Sequence, residues 1–567
     1  MKSKKLLLVF VLFLAAGIVI QFVSYDYVLN YLKKDFSSDG IIQKDTYSYY
    51  KSKFLFVKLL FIVIPLICLL YVIFQNKIAE IISYVNVKIP RIINTIYSKI
   101  SISHLFWFSI VMVSILSVYA IYHFDIGQDE AFYLNDIQNI NTYGSVYRDY
   151  NDNKSFYYDI PHLPLMLISK ITVPVFGFSV VHIRIIILLF SLLMIPVLLK
   201  LFDKLTARIA IIFLFLFPGI FSLTATVFLE FTAILFFILS LVLLKEFEVK
   251  NKNYLLVLSA FFMSISMSTK IQFAVWIVLI LIILLLIEYK RYISIILKYS
   301  FYIFLIYACI LVFSFLHYGF HNGVLLFKEV FIGGNQSELL NIDISLIIYK
   351  FMMLNNLIYI PLLLFIWIKS WRKIKKDYDY LYMKIIFVGA ISILIYWNLF
   401  YHVLTLRNVI LGIAFNLMLM AIYLKENYKS VKLILIPYII AGVTANFAFI
   451  QNGVNNDIQL YDAHLLDNLL SLKSNDDQKI FYSKVAEIIK PENDVYVPEQ
   501  AVIPRLYLNN RTIKDIRIYK KAYETQYLII TPADIKERWI ELKNVQGYIS
   551  ESKIILQVGN YILYQLP

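Results

Sequence analysis

The chain has 567 residues, 60% of them hydrophobic and 16% charged, with a formal net charge of +15. A mean hydropathy of +0.72 excludes an ordinary soluble globular protein. Lys and Arg gather in short loops between apolar runs, which is the signature of membrane topology and argues against a nucleic-acid surface.

Apolar runs long enough to cross a ~30 Å hydrocarbon core as helices recur along the chain. About thirteen transmembrane helices are expected by length and hydropathy, near 5–24, 54–75, 103–122, 179–201, 207–221, 223–245, 254–270, 271–288, 295–316, 346–368, 382–400, 409–425 and 431–450. The first, "MKSKKLLLVFVLFLAAGIVI", has the charge and apolar centre of a signal peptide but no small-x-small cleavage site, so it reads as a retained span. Cys68 and Cys309 both fall in apolar runs, and no disulfide framework is expected. Spans of this kind close their own backbone hydrogen bonds, so the fold class is a polytopic α-helical membrane protein.

With Lys2, Lys4 and Lys5 inside, the inner loops hold Lys77, Lys88, Arg91, Lys99, Lys204, Arg208, Lys250, Lys252, Lys290, Arg291, Lys369, Arg372, Lys373, Lys375, Lys376, Lys425, Lys429 and Lys432. Outer loops are poorer in both residues, as the positive-inside rule requires. The loop 25–53 is an exception, with Lys33, Lys34, Lys44, Lys51 and Lys53. This topology puts loop 123–178 and the tail from about 454 outside. The tail starts polar and helical ("NDDQKIFYSKVAEIIK"). It then gives "DVYVPE", "YLIITP", "KIILQVG" and "YILYQLP" as short strands between turn residues, so a small extracytoplasmic α/β domain is expected at 454–567.

The outer face collects ionisable residues. "FDIGQDEAFY" places Asp125, Asp129 and Glu130 where the span 103–122 ends, and "DEAFYLNDIQNI" has helical spacing. "YYDIPHLPLMLISKITVPVFG" joins Asp159 and His162 to an amphipathic segment too short to span, which reads as lying along the interface. Arg184 opens the next span. Glu230 lies about seven residues into the span 223–245, Lys270 sits between two spans, and His402 and Arg407 share an outer loop. Charge at or near the bilayer is expensive, which makes each a functional candidate. Each also has a plainer reading. Acids favour helix starts, Lys270 can snorkel, Arg407 can pair with headgroups, and Glu230 can hydrogen-bond a neighbouring helix. His162 can simply pack beside the prolines. The mixture suits transfer of a sugar from a lipid phosphate. One carboxylate takes the acceptor's proton, and fixed cations hold the charge growing on the leaving phosphate.

From about 103 to 450 the order of motifs resembles the GT-C glycosyltransferases, and within them the branch of protein O-mannosyltransferases and lipid A aminoarabinose transferases. The motifs are "DEAFY", "YYDIPHLPL", "VHIRI", "EFTAILFF", "STK" and "LRNVILG". The resemblance implies an inverting, polyprenyl-phosphate-sugar-dependent transferase. Asp129 would be the general base, with Glu130 ordering the loop or acceptor. Lys270 and Arg407 would bind the donor phosphate, and Arg184 would help shape that site. Asp159, His162, Glu230 and His402 would line the sugar or acceptor pocket. Some relatives use a divalent metal and others do not; here Asp129, His162 and Glu230 would be its ligands. Leu163 and Asn408 depart from the pattern, beside His162 and Arg407 respectively.

The resulting expectation has three parts: two extra N-terminal helices and a basic linker (1–102), a catalytic transmembrane domain (103–453) and the outer domain (454–567). The partners are a polyprenyl-phosphate-sugar donor, an acceptor (lipid A, a surface glycan or a protein) and membrane lipids, with no nucleic acid. The location is the bacterial inner (plasma) membrane, with the active site outside. Three other readings remain, one of them a non-catalytic scaffold whose outer domain binds a partner. A lipid-linked-sugar transporter or flippase would show inverted repeats and midplane charge, and no repeat stands out. A polysaccharide polymerase or ligase would carry its large loop late in the chain, whereas the large acidic loop here comes early.

Overall fold

A computed structural model of the chain describes Lys58, residues 101–143 apart from Asp125 and Gly127, 148–149, 156–157, 168–318 with breaks at Phe228, Lys270 and 288–291, 364–399 with breaks at Lys373 and 375–378, 410–451 with a break at Asn427, and most of 477–567. The chain divides into two compact units. One holds Met1–Leu105, Ser337–Ile368 and Asn398–Tyr401. The other holds Phe106–Gln336, Lys369–Trp397 and His402–Pro567, and carries nearly all of the described residues. The expected spans at 5–24, 54–75 and most of 346–368 lie outside the described residues.

The helices follow the apolar runs. They are α1 (Ile102–His123), α2 (Gln128–Tyr143), α3 (Val173–Phe176, continuing a π-turn over Ile168–Thr172), α4 (Val180–Leu192) and α5 (Met194–Leu201). Then come α6 (Lys204–Leu216), α7 (Pro218–Thr224), α8 (Glu230–Lys250), α9 (Asn253–Thr269), α10 (Ile271–Ile287), α11 (Ile293–Tyr318), α12 (Leu381–Leu399), α13 (Ile410–Glu426) and α14 (Tyr428–Gln451). Residues 148–149 and 156–157 pair as the short antiparallel strands β1 and β2. Among the described residues, Ile102–Tyr122, Val180–Leu201 and Ile293–Phe313 are long and apolar enough to cross a bilayer. Shorter apolar helices accompany them. Trp107, Val111, Ile115 and Val118 on α1, and Leu297, Phe301, Phe304 and Leu305 on α11, are all exposed. On a soluble protein such stripes would be sticky patches; here they are surfaces suited to lipid.

The runs break where the backbone loses a donor. Pro196 has no N–H for the carbonyl of Leu192, and the run 180–201 divides there into α4 and α5. Pro218 ends α6. The expected span 223–245 in fact starts at Glu230, after a non-helical stretch, 225–229, whose described residues are buried. Glu230 is therefore the first residue of α8 and not an acid seven residues inside a helix. A buried carboxylate is best placed at that end, against the positive pole of the helix dipole.

One end of the bundle gathers the basic loops. Asp203 caps α6 by accepting from Thr206 N–H and pairs with Lys425 Nζ at 2.8 Å. Lys245 donates to the carbonyls of Lys200 and Leu201. Glu248 accepts from the first N–H groups of α12, at Leu381 and Tyr382. Tyr292 donates to Asp379 O, and Lys298 to Asn253. The network joins these Lys- and Arg-rich loops at one end of the bundle. Glu230 stands at the other end of α8, about 30 Å away at ~1.5 Å per residue. Burial raises the Asp203 carboxyl, but hydrogen bonds from Lys425 and Thr206 outweigh it and hold the group below its ordinary 3.8. The capped, paired anion therefore stabilises the fold above pH ~4, and that contribution is lost as pH falls through the depressed folded value. In acid titrations of thermal stability, Asp203→Asn is expected to flatten the decline below pH ~4 by at most about 1 kcal/mol, since the pair is partly exposed. Superimposable wild-type and variant curves would contradict this.

Inside the bundle, small and hydroxyl residues join the helices. Asn251, left-handed at φ 50°, caps α8 and turns the chain into α9. Ser259 donates to Ser240 O, Ser266 to Ala233 O and Ser264 to Ile303 O. The hydroxyls of Ser240, Ser259 and Tyr299 meet in one buried cluster linking α8, α9 and α11. Such contacts replace the hydrophobic drive that is missing between helices in lipid. The open end of α6 is closed by α14: Tyr438 donates to Phe213 O and Asn446 to Leu216 O. Gly442 permits that approach, because a Cβ there would stand 2.8 Å from Leu216 O. Gly442→Val is expected to destabilise the bundle by about 1–3 kcal/mol, read as a lower thermal midpoint in nanodiscs. An unchanged midpoint would show that α14 does not approach α6 in this way.

The C-terminal part forms a three-layer α/β domain. Its elements are α15 (Asp477–Ile488), β3 (Val495–Val497), α16 (Val502–Tyr507), β4 (Ile513–Asp515), β5 (Tyr527–Ile530), α17 (Lys543–Glu551), β6 (Lys553–Val558) and β7 (Tyr561–Gln565). The sheet order is β4-β3-β5-β7-β6, with β3 parallel to β4 and β5, and β7 antiparallel to β5 and β6. Alternate residues serve opposite faces. Val495 and Val497 join Phe481, Tyr482, Val485 and Leu508, while Tyr496 joins Leu528, Ile530 and Val545. All four expected strands are present. The additional strand, β4, is three residues with Lys514 at its centre, tied to Asp494 at 2.8 Å.

Candidate active site

The connection "FDIGQDE" leads from α1 to α2, with Asp129 and Glu130 in the first turn of α2, where the orphan N–H groups and the helix dipole favour acids. The described side chains of α2 that are buried include Glu130, Ala131, Tyr133, Leu134, Asp136 and Ile137. This helix is thus not a solvated outer helix. It packs against α16 of the C-terminal domain on one side and the π-turn at 168–172 on another.

Glu130 and Arg184 form a fully buried pair, 0% and 1% exposed. Arg184 Nε donates to Glu130 Oε1 at 2.8 Å and Nη2 to Oε2 at 2.7 Å, a bidentate fork. Arg184 Nη1 donates to the carbonyls of Ile121 and Phe124, at 3.0 and 2.9 Å. These belong to the C-terminal end of α1, which needs donors and favours a cation. Glu130 Oε1 also accepts from Val227 N–H at 2.8 Å. That peptide lies in the buried non-helical stretch before α8, where irregular backbone survives only if the protein satisfies it. One ion pair thus ties the end of α1, the start of α2, the start of α4 and the approach to α8.

This geometry changes what Arg184 can do. Its guanidinium donates to a carboxylate and two backbone carbonyls beneath the surface. Glu130 likewise faces inward to Arg184 and Val227. Glu230 is close by in the chain, fully buried at the first position of α8, at the same end of the bundle as Val227. Thr224, which ends α7, shares a hydroxyl contact with Ser117 of α1 at 3.3 Å. Lys270 lies outside the described residues, in the one-residue gap between α9, ending at Thr269, and α10, starting at Ile271. Asp125, Asp159, His162, His402 and Arg407 also lie outside them, as does the side chain of Asp129. Among the described residues no three His, Cys, Asp or Glu side chains gather to hold a metal ion. Of the three ligands considered, only the Glu230 side chain is described.

One contact has no signal in the sequence. Gln478, in the first turn of α15, is 2% exposed. Its Oε1 accepts from Ile126 N–H at 2.9 Å, and its Nε2 donates to Ile126 O at 3.2 Å. Tyr507 donates to the same Oε1 at 3.2 Å, and Lys479 Nζ donates to Tyr122 O. The polar opening of the tail marks a helix start, but a partner 352 residues away cannot be read from local pattern.

No family model matches the chain, and no curated protein matches it in sequence. Solved structures do share its fold. ArnT from Cupriavidus metallidurans bound to undecaprenyl phosphate aligns with a TM-score of 0.53 at 12% identity, covering 80% of this chain and 97% of that one. The same protein in its apo state gives 0.50. The archaeal oligosaccharyltransferase AglB from Archaeoglobus fulgidus, in complex with an inhibitory peptide and a dolichol-phosphate, gives 0.43 at 10% identity, covering 72% of this chain and 64% of that one. The chain therefore has an ArnT-like fold. With its apolar helices, it is an integral membrane protein.

Proposed function

We propose that the protein is a glycosyltransferase that moves a sugar from a polyprenyl-phosphate donor to an acceptor on the extracytoplasmic face, with inversion at the anomeric carbon. The fold shared with a protein solved with undecaprenyl phosphate supports the donor class. The observation that carries the reading is the buried Glu130–Arg184 fork, which fixes the first turn of α2, and with it Asp129, at the end of the bundle opposite the basic loops. In this reading the transmembrane part at 103–453 and the domain at 454–567 share the site.

In this reading Asp129 is the general base. The acceptor's hydroxyl or amine attacks the anomeric carbon and its proton passes to Asp129. The bond from that carbon to the phosphate oxygen breaks, and its electron pair leaves with the polyprenyl phosphate. Lys270 and Arg407 hold the charge that grows there. Asp159, His162, Glu230 and His402 surround the sugar and acceptor. Arg184 is moved from phosphate binding to positioning, with Glu130 as its partner. The acceptor is a lipid, a surface glycan or a protein.

The test is turnover by the purified chain in nanodiscs. Extracts of polyprenyl-phosphate sugars and a panel of acceptors are offered, and release of polyprenyl phosphate is followed. Acceptor-dependent release is the expected result. Binding of the lipid with no release under any acceptor would remove the transferase reading and favour a carrier of lipid-linked sugars.

A further inference from the structure

The loop that leads to Asp129 is held from two sides, and only one of them belongs to the membrane bundle. From the bundle, Arg184 and Glu130 fix Phe124 O and the start of α2. From the other side, the C-terminal domain reaches in with a single amide. Gln478 meets both polar groups of Ile126, accepting from its N–H and donating to its C=O. A side-chain amide here pairs with the backbone as a neighbouring strand would. Tyr507 OH also donates to Oε1. An oxygen that accepts from both a backbone N–H and a hydroxyl cannot be exchanged for the NH2 group, so the amide has one orientation. Gln478 is almost fully buried, and buried backbone groups deprived of both partners are costly.

Ile126 lies three residues before Asp129. A base shifted by about 1 Å loses much of its effect. Two further contacts of the domain fall close by: Lys479 on Tyr122 O, and α16 along α2. Gln478 itself is anchored by the domain core, since Phe481, Tyr482 and Val485 follow it on α15 and are buried against the sheet.

We propose that Gln478 is a positioning residue through which the C-terminal domain holds the Asp129 loop in its working geometry. The domain then governs the rate of transfer whatever the acceptor, in addition to any part in acceptor choice. The catalytic half of this rests on the transferase reading; the docking half does not.

The experiment uses the full chain in nanodiscs, with Gln478→Ala, Gln478→Glu and, as a control for domain stability, Val497→Ala in the sheet core. Hydrogen exchange over residues 124–131 is read by mass spectrometry, and turnover of the lipid-linked sugar in parallel. Gln478→Ala is expected to speed exchange there at least about tenfold. It should lower kcat about tenfold or more, with the donor KM within about threefold. Gln478→Glu keeps the acceptor for Ile126 N–H and Tyr507 but cannot donate to Ile126 O, so it falls between. Val497→Ala leaves both readouts near wild type. Unchanged exchange in Gln478→Ala overturns the proposal, as does faster exchange with unchanged kcat. So does an equal loss of kcat in Val497→Ala, which would make the effect one of stability. If the wild type releases no polyprenyl phosphate, the transferase reading fails and exchange alone decides the docking: faster exchange sustains it, and no change overturns it.

Discussion

Asp129→Asn is expected to lower polyprenyl-phosphate release at least ~100-fold while the protein keeps its wild-type thermal midpoint. Asn is nearly isosteric with Asp but cannot accept a proton in the transition state. The described contacts that hold the first turn of α2 run through other residues: the fork from Arg184 goes to Glu130, and Gln478 grips Ile126. Stability should therefore be spared. Because the base acts only as the acceptor attacks, kcat and kcat/KM should fall together, and donor binding should be little changed. The acid limb of the rate profile, which reports the carboxylate, should disappear in the variant. If the variant folds and turns over like wild type, Asp129 is not the base. The next residue to test would then be Asp159 in preference to Glu130, whose oxygens are already bound by Arg184 and Val227 N–H.

The architecture is legible wherever a physical period repeats. Among the described residues, apolar runs locate most helices of the bundle to within a few residues, and β3, β5, β6 and β7 follow from alternation and turn residues. What escapes is local interruption. The run 223–245 holds no Pro, Gly or charge before Glu230, and nothing in that composition shows that the helix starts only there. The break is stabilised by Glu130, almost a hundred residues earlier, which supplies an acceptor to Val227 N–H. β4 is invisible in the sequence because three residues centred on a lysine carry no alternation. The charged residues of the site are visible as residues but not as pairs. Glu130 and Arg184 each stand out as ionisable groups near a membrane surface, and the resemblance implies that Glu130 orders the loop or acceptor and that Arg184 helps shape the phosphate site. Only the fold shows that they face each other. The sign of a charge can be read along the chain; whether it is aimed at a ligand or at a partner depends on tertiary placement.

Breaking that pair should give the largest loss of stability of any single change near the site. Arg184→Met leaves the Glu130 carboxylate buried with the Val227 N–H but without its two guanidinium donors, and strips two hydrogen bonds from the end of α1. Glu130→Ala takes the bidentate carboxylate from a buried guanidinium and the acceptor from Val227 N–H. Either change is expected to cost about 3–5 kcal/mol and to lower the thermal midpoint in nanodiscs by roughly 10 °C. Removing both charges with a well-packed apolar pair, Glu130→Leu with Arg184→Met, should be less damaging than the sum of the single changes, since no ion is then stranded. The two roles considered for Arg184 separate cleanly. A phosphate-binding arginine changed to lysine would raise the donor KM with little change in midpoint. A structural one would lose the bidentate fork and at least one backbone carbonyl, so the midpoint would fall while KM in the surviving folded fraction stayed near wild type. A normal midpoint with a raised donor KM in Arg184→Lys would return this residue to the phosphate and undo the positioning role assigned to the pair.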